Sequence, residues 1–499
     1  MFDAAGGSPM SNHHTSKAIH DRLGHPVVDA DGHYLEFGPS LLEYIRKVAG
    51  QRVADAFKAT GDRVADSIRM TPAERRDAGV PQEAFWPAPT RNTLDRATAT
   101  LPRLLYERLD EFGLDFTVLY PSAGLLIPRI MDDEMRRATC RALNMYNAET
   151  YRPLADRITP AAVIPMGTPR EAIEELEYAA RTLGLKVMMM GHPMPRPIAA
   201  VARKTPAAAR WARWIDTFGI DSAYDYDPVW AKCRELGVSP SFHSGSRGFG
   251  FRFSPGNFTY NHIGHFAAAL EAVCKSLFLA GVTRRFPRLN IAFLEGGVAW
   301  ACMLYSDLIG HWKKRNRAAL EEVNPANLDR AMFRELVERW GGREIAERWA
   351  GGELRLQTFD TPNPPAEQEL DDYAACGIER AEDIRDLFVR NFYFGCEADD
   401  PLNAWAYNTR INPFGAQLKT LLGSDIGHFD VVNMAEVLEE AYELVERRLI
   451  TEDDLRDFLF TNPVRFFGEA NPNFFKGTVI ETAASRLLGA ESTSATAGR

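Results

Sequence analysis

Short apolar runs alternate with amphipathic stretches along most of the chain. Eight of the runs lack a polar–apolar alternation, as strands buried on both faces do. They fall at 26–31 (PVVDAD), 115–120 (DFTVLY), 158–165 (ITPAAVIP), 185–190 (LKVMMM), 238–243 (VSPSFH), 289–295 (LNIAFLE), 391–395 (NFYFG) and 419–425 (KTLLGSD). Helical spacing fills 132–151, 169–183, 226–236, 265–285, 297–317 and 433–447. Strand–helix repetition with eight strands predicts an α/β fold, a (β/α)8 TIM barrel with long βα insertions. A doubly wound dinucleotide fold would place a GxGxxG after its first strand, and none is found there.

The barrel is expected over 26–475, between flexible tails at 1–25 and 476–499. Two connections exceed a simple crossover. Residues 35–114 include Trp86-Pro87-Ala88-Pro89, and residues 312–390 are rich in Glu, Arg and Trp. Insertions of that length cover the active mouth of a barrel or build subunit contacts. His13-His14 lies in a Gly/Ser/Asn-rich stretch and reads as part of the tail.

Composition narrows the class. The chain has 499 residues, 45% of them hydrophobic, enough for a large core. Its net charge of -10 is spread over mixed acidic and basic residues, with no Lys/Arg block to track a phosphate backbone. Nucleic acid is therefore not an expected partner. The six cysteines, Cys140, Cys233, Cys274, Cys302, Cys376 and Cys396, form no CxxC pair. They fit the scattered thiols of a reducing compartment. No run reaches the roughly 18 apolar residues of a membrane span, and no signal-type segment opens the chain. A cytoplasmic protein with no membrane partner is the expectation.

The chemistry should lie at the C-terminal ends of the strands, where barrels of this type place their active sites. Strand one ends in Asp31 and His33, strand five in His243, strand six in Glu295 and strand eight in Asp425, with His428 just beyond. His192 follows strand four. In a closed barrel the first and last strands are neighbours, so Asp31, His33 and Asp425 can grip one cation. Asp31 and His33 are two apart, which puts them on one face of an extended strand. A carboxylate closing an apolar run, as Glu295 and Asp425 do, is costly to bury without a metal, a cation or solvent. Each residue alone has a bland reading as a turn former or a satisfied core group; their joint placement favours a metal site. His262 and His265 could lie over the mouth, with His265 the better candidate ligand and His262 a substrate contact. Arg247 suits a substrate carboxylate, and Tyr34 would sit at the mouth beside it. Glu397, Asp399 and Asp400 follow strand seven and could add one inward carboxylate. The Met188-Met189-Met190 run reads as core.

Five segments, DADGHYLE, FGLDFTVLYPSAGL, RFPRLNIAFLEGGVAW, LLGSDIGHFD and TNPVRFF, occur in order over roughly residues 26–470. On them the chain resembles the amidohydrolase-related family that includes aminocarboxymuconate-semialdehyde decarboxylase and resorcylate-type decarboxylases. The resemblance implies a divalent metal at the barrel mouth. Its first-strand ligands fall on Asp31 and His33, its fifth-strand His on His243 and its eighth-strand Asp on Asp425. A carboxylate in place of the first His makes the site richer in oxygen, which favours Mn or Fe over Zn. The family's decarboxylases carry a His at the end of strand six, where this chain has Glu295. That departure puts hydrolysis by a metal-activated water first, on a small carboxylated or carbonyl substrate, with Asp425, Glu295 and His428 as catalytic residues. Non-oxidative decarboxylation of an aromatic or muconate-type acid is the alternative. A dinuclear Fe/Mn oxygenase is a third reading, with His192, Glu295, His262 or His265, and His428 completing a second site beside Asp31, His33, His243 and Asp425. A metal-holding partner subunit without catalysis is a fourth. One or two ions per chain, and assembly with itself or with a related chain, complete the expectations.

Overall fold

All eight apolar runs become parallel strands in the computed structural model, which describes residues 15–84, 90–209, 211–349 and 370–497. The strands in chain order are β1 (Val28–Tyr34), β2 (Phe116–Pro121), β3 (Ile158–Ile164), β4 (Val187–Met190), β5 (Met194–Pro197), β6 (Arg213–Asp216), β7 (Pro240–Phe242), β8 (Ile291–Phe293), β9 (Phe392–Glu397) and β10 (Lys419–Gly423). Eight of them form one sheet in the order β1-β2-β3-β4-β7-β8-β9-β10. Nearly every residue of these eight is buried, which is why their sequences show no period of two. Helices such as Asp133–Tyr151, Pro169–Glu177 and Ala299–Arg315 fill the crossovers.

The sheet closes into a barrel where the C-terminal half of β1 meets the residues just past β10. Asp425 N–H donates to the Asp31 carbonyl at 3.1 Å, and His33 N–H donates to the Ile426 carbonyl at 2.7 Å. The seam thus runs through the residues singled out as cation ligands. On β1 the register jumps between Asp29 and Gly32, so Ala30 and Asp31 are left facing a single residue of β2. Bulges of this kind re-aim side chains beside active sites. Gly32 is required there, because a Cβ would come within 2.6 Å of an Asp29 carboxylate oxygen and 3.0 Å of the Thr117 hydroxyl.

Several expectations change. Residues 16–23 belong to no tail: Ser16–Leu23 is a helix capped by Thr15, with Ile19 buried. The C-terminal stretch is likewise helical over Glu481–Ala497, and Ile480 and Ala484 are buried. Buried apolar contacts hold both segments where polar composition suggested fraying. The antiparallel pair β5–β6, between β4 and β7, had no sequence signal because its four-residue strands are rich in Pro and Arg. Met188, Met189 and Met190 are core, as expected. His13-His14, Trp86–Pro89 and part of the second insertion lie outside the described residues. No helix among the described residues is long and apolar enough to cross a membrane. All six cysteines are buried free thiols.

Candidate metal centre and active site

Six side chains converge at the barrel mouth. His33 Nε2 lies 3.6 Å from Asp31 Oδ1, 3.5 Å from Glu295 Oε2 and 3.4 Å from Asp425 Oδ1. His243 Nε2 lies 3.2 Å from His33 Nε2, 3.5 Å from Asp31 Oδ1 and 2.8 Å from Glu295 Oε2. His428 stacks on His33, with ring centroids 3.7 Å apart, and its Nδ1 is 2.6 Å from Asp425 Oδ1. The donor atoms form two overlapping groups, Asp31/His33/His243 and His33/Glu295/Asp425/His428.

Backbone strain helps to aim the carboxylates. Glu295 and Asp425 sit at φ of 57° and 50°, in the left-handed region that residues with a Cβ rarely enter. Each costs of order 1–3 kcal/mol and persists only where the surroundings enforce it. Both follow the last residues of their strands, so the turn directs the side chain into the mouth.

The donor chemistry fits a divalent cation. Asp31 Oδ1, Glu295 Oε2 and Asp425 Oδ1 are buried, and the groups that approach them are the ring nitrogens of His33, His243 and His428. Three converging carboxylates without a counter-ion would be severely penalised in so dry a place. Burial pushes the Asp31 carboxyl well up, and the charges of Glu295 and Asp425 add to this. Burial, reinforced by His428, holds His33 well below the usual imidazole range, leaving a neutral ring that can ligate. Burial alone would lower His243, but the Asp31 and Glu295 carboxylates raise it. Burial would raise Glu295, but His243 and His33 hold it down. Six donors exceed the four that a structural zinc takes. Both groups share His33.

Above this floor lies a cavity of about 430 Å³. Leu35, Leu125, Phe266 and Phe429 give it apolar walls; its cationic and imidazole groups are Arg129, Arg247, His192, His262, His265 and His428, and its carboxylates are Glu36, Glu83, Glu295 and Asp430. Val64, Glu83 and Ala84 of the first insertion also line it, so that insertion does cover the mouth.

The remaining candidates divide. His192 is in neither ligand group. Its Nε2–H donates to the Leu125 carbonyl, and its Nδ1 accepts from Gly245 N–H at 3.3 Å, so both nitrogens are engaged. It bridges the loops after β2 and β7. His265 is buried with both ring nitrogens unpartnered, and it faces the cavity, outside the two groups. His262 stacks on Phe258 at the same wall. Arg247 lines the cavity and pairs with Glu83 at 3.0 Å. Asp400 caps the turn after β9, accepting from Leu402 N–H at 2.9 Å, and neither it nor Glu397 joins the cluster.

Tyr34 is a correction. Side chains alternate along β1, so with His33 directed inward Tyr34 points outward. Its hydroxyl donates to Asn147 and its ring packs on Tyr151, both on the helix Asp133–Tyr151. Tyr34→Phe should leave kcat and KM unchanged and cost about 1 kcal/mol of stability, one buried hydrogen bond. Steady-state kinetics beside a denaturation curve check this; a rise in KM alone would restore Tyr34 to the substrate site.

Arg129 was missed from the sequence. It ends the short turn Ile127–Arg129 after β2, in a stretch with no apolar run to mark it. Glu36 fastens that loop, accepting from Ala123 N–H at 3.0 Å and Gly124 N–H at 2.8 Å.

Residues 85–323 match the amidohydrolase family model. The span holds His243 and Glu295 and stops short of β9 and β10, while Asp31, His33 and Asp425 lie outside it. Over that span the chain is similar to the amidohydrolase family. Among solved structures it is similar to an amidohydrolase from Mycobacterium avium subsp. paratuberculosis K-10, with 16% identity and a TM-score of 0.51 over 89% of this chain and 100% of that one. It is also similar to 2,6-dihydroxybenzoate decarboxylase from Rhizobium (16% identity, TM-score 0.45, 89% and 98% covered). A manganese-bound dihydroxybenzoic acid decarboxylase from Polaromonas sp. JS666 is comparable (14% identity, TM-score 0.47, 89% and 97% covered). At 16% identity the likeness to the Mycobacterium structure is one of fold. No match was found among curated proteins.

Proposed function

We propose that the protein is a metal-dependent carboxy-lyase that removes CO₂ from a small organic acid without oxygen. One observation carries this reading: a single apolar-walled cavity joins a cation-demanding carboxylate floor to a wall bearing Arg129 and Arg247. A cavity of that kind recruits a small anion and desolvates it. The order of readings therefore reverses, with decarboxylation ahead of hydrolysis.

Asp31, His33, His243, Glu295 and Asp425 would hold the divalent cation. When bound, it supplies positive charge against the acid and against the charge that develops as the carboxylate leaves. The arginines draw the acid in, and Leu125, Phe266 and Phe429 exclude water around it. As the C–C bond breaks, CO₂ departs and the electron pair stays on the substrate carbon. That carbon then takes a proton. His428 would deliver it in its doubly protonated form: Asp425 engages Nδ1–H, and Nε2–H, on a side chain that lines the cavity, gives up its proton and regains one from solvent.

Hydrolysis is the second reading, favoured by Glu295, a carboxylate base on the same floor. The test is anaerobic incubation of the manganese-loaded protein with aromatic and unsaturated acids, and separately with esters and amides. CO₂ release from an acid without oxygen is expected. Turnover confined to esters or amides would establish hydrolysis instead, and strict oxygen dependence with about two redox metals per chain would point to a dinuclear oxygenase.

A further inference from the structure

The second insertion carries a repeat. Arg334-Glu335-Leu336-Val337-Glu338-Arg339-Trp340 is followed, after Gly341-Gly342, by Arg343-Glu344-Ile345-Ala346-Glu347-Arg348-Trp349. The two motifs differ only in Leu for Ile and Val for Ala. Both are helical, within Arg330–Trp340 and Gly342–Trp349. Asp329 caps the first helix, accepting from Ala331 N–H at 3.0 Å and Met332 N–H at 2.9 Å, and Gly342 turns the chain between the two at φ 65°.

No described residue of this pair is buried. Met332, Leu336 and Trp340 are 58%, 43% and 72% exposed, and a spacing of four sets them in one stripe. Ile345, the counterpart of Leu336 in the second helix, is 55% exposed. A helix of 11 residues is marginal by itself and draws its stability from an apolar face packed against another surface. Here that face is open to solvent. Met, Trp and Arg are also the types enriched where protein surfaces meet.

The charges select the occupant. Residues 329–348 carry five acidic and five basic side chains, in a chain whose net charge is -10. A strongly charged partner finds no net attraction there, whereas a second copy escapes the repulsion that the rest of an acidic surface sets up. A two-fold contact must also complement itself. Glu335 and Arg339 are one turn apart along one edge of the stripe. Among the described residues neither is in an ion pair, and the Arg339 guanidinium lies 5.0 Å from the Trp340 ring. Placed antiparallel across a two-fold axis, Glu335 meets the partner's Arg339, and Arg339 meets the partner's Glu335.

We infer that this helical pair is where two copies of the chain associate, apolar stripe against apolar stripe. The second helix repeats the motif and so adds a like surface through Ile345. Two such pairs bury on the order of 1,000 Å², the low end of specific interfaces, so dissociation should fall near micromolar. None of these residues belongs to the barrel mouth, so the contact stands or falls independently of the proposed chemistry.

The test is sedimentation velocity of the full chain, from well below to well above micromolar. Wild type should gain mass with concentration. Leu336→Glu and Trp340→Glu should each lower the assembly by one step (dimer to monomer, or tetramer to dimer) and leave thermal melting of the barrel unchanged, since neither side chain is buried within the chain. Glu335→Arg places like charges opposite each other twice and should weaken association by about tenfold. Adding Arg339→Glu should restore it, because the exchange keeps the pairing reciprocal; a partner of different sequence would not be rescued. A chain that is monomeric at every concentration, a mass unchanged by either glutamate, or a charge exchange that fails to restore association overturns the inference.

Discussion

Asp31→Asn should stabilise the metal-free protein while it cripples the metal-loaded one. Asp31 is buried, its Oδ1 is unpartnered, and it faces two further carboxylates. Without a cation, ionising all three costs free energy, so a neutral amide of the same shape relieves the apo state. With the cation, the same change removes a ligand charge. Metal affinity and turnover should each fall by roughly a hundredfold or more, beyond what loss of an outer-shell partner costs. Wild type should gain thermal stability on manganese addition, about 4 kcal/mol when the ion is a thousandfold above Kd, and the variant should lose most of that gain. The sign with pH follows from the raised Asp31 carboxyl. A folded state that binds more protons than the unfolded one loses stability as pH rises from the ordinary carboxylate range towards the folded value. Metal-free wild type should show that decline, and Asp31→Asn should flatten it. Melting curves across pH, with and without manganese, decide the matter. A variant that melts lower than wild type without metal, or keeps the full manganese shift, would remove Asp31 from the site.

The candidate cation site was legible because carboxylates at the ends of buried apolar runs violate the burial rule, and strand order makes the first and last ends neighbours. Asp31, His33, His243, Glu295 and Asp425 could therefore be found without an alignment. The parts that were not legible depend on loop geometry. His192 and His265 looked like spare ligands because a sequence shows residue type and not which backbone groups a ring meets. His192 meets a carbonyl and an amide, and His265 meets the cavity. Tyr34 misled because being next to a mouth residue means pointing the other way on a strand. Arg129 carried no signal, since it reaches the cavity from a short turn after β2 that no apolar run marks. The terminal helices hid behind polar composition, with only a few buried residues such as Ile19 and Ala484 to hold them.

The floor depends on a residue that touches no cation. Asp29 is fully buried behind Gly32, and four donors converge on its carboxylate. Thr117 Oγ1 and Ser424 Oγ donate to Oδ2 at 2.6 and 2.8 Å; Ser424 N–H and Asp31 N–H donate to Oδ1 at 3.0 and 3.2 Å. These bonds tie β1 to β2 and to the residue after β10, across the seam that carries Asp31 and Asp425. Asp29→Ala would leave four buried donors unsatisfied and should cost about 3–5 kcal/mol. It should also lower manganese affinity by about 10- to 100-fold, the usual effect of removing a group that orients ligands. Asp29→Asn should be milder, since its carbonyl can keep one pair of donors while the hydroxyls of Thr117 and Ser424 rotate to accept from its amide. Denaturation and metal titration of both variants separate two roles. If Asn restores stability but not manganese affinity, the negative charge of Asp29 itself tunes the floor. If it restores both, Asp29 acts by geometry, holding the barrel seam closed so that the strained turn at Asp425 meets the bulge at Asp31. Unchanged melting and affinity in Asp29→Ala would show that the seam closes without it.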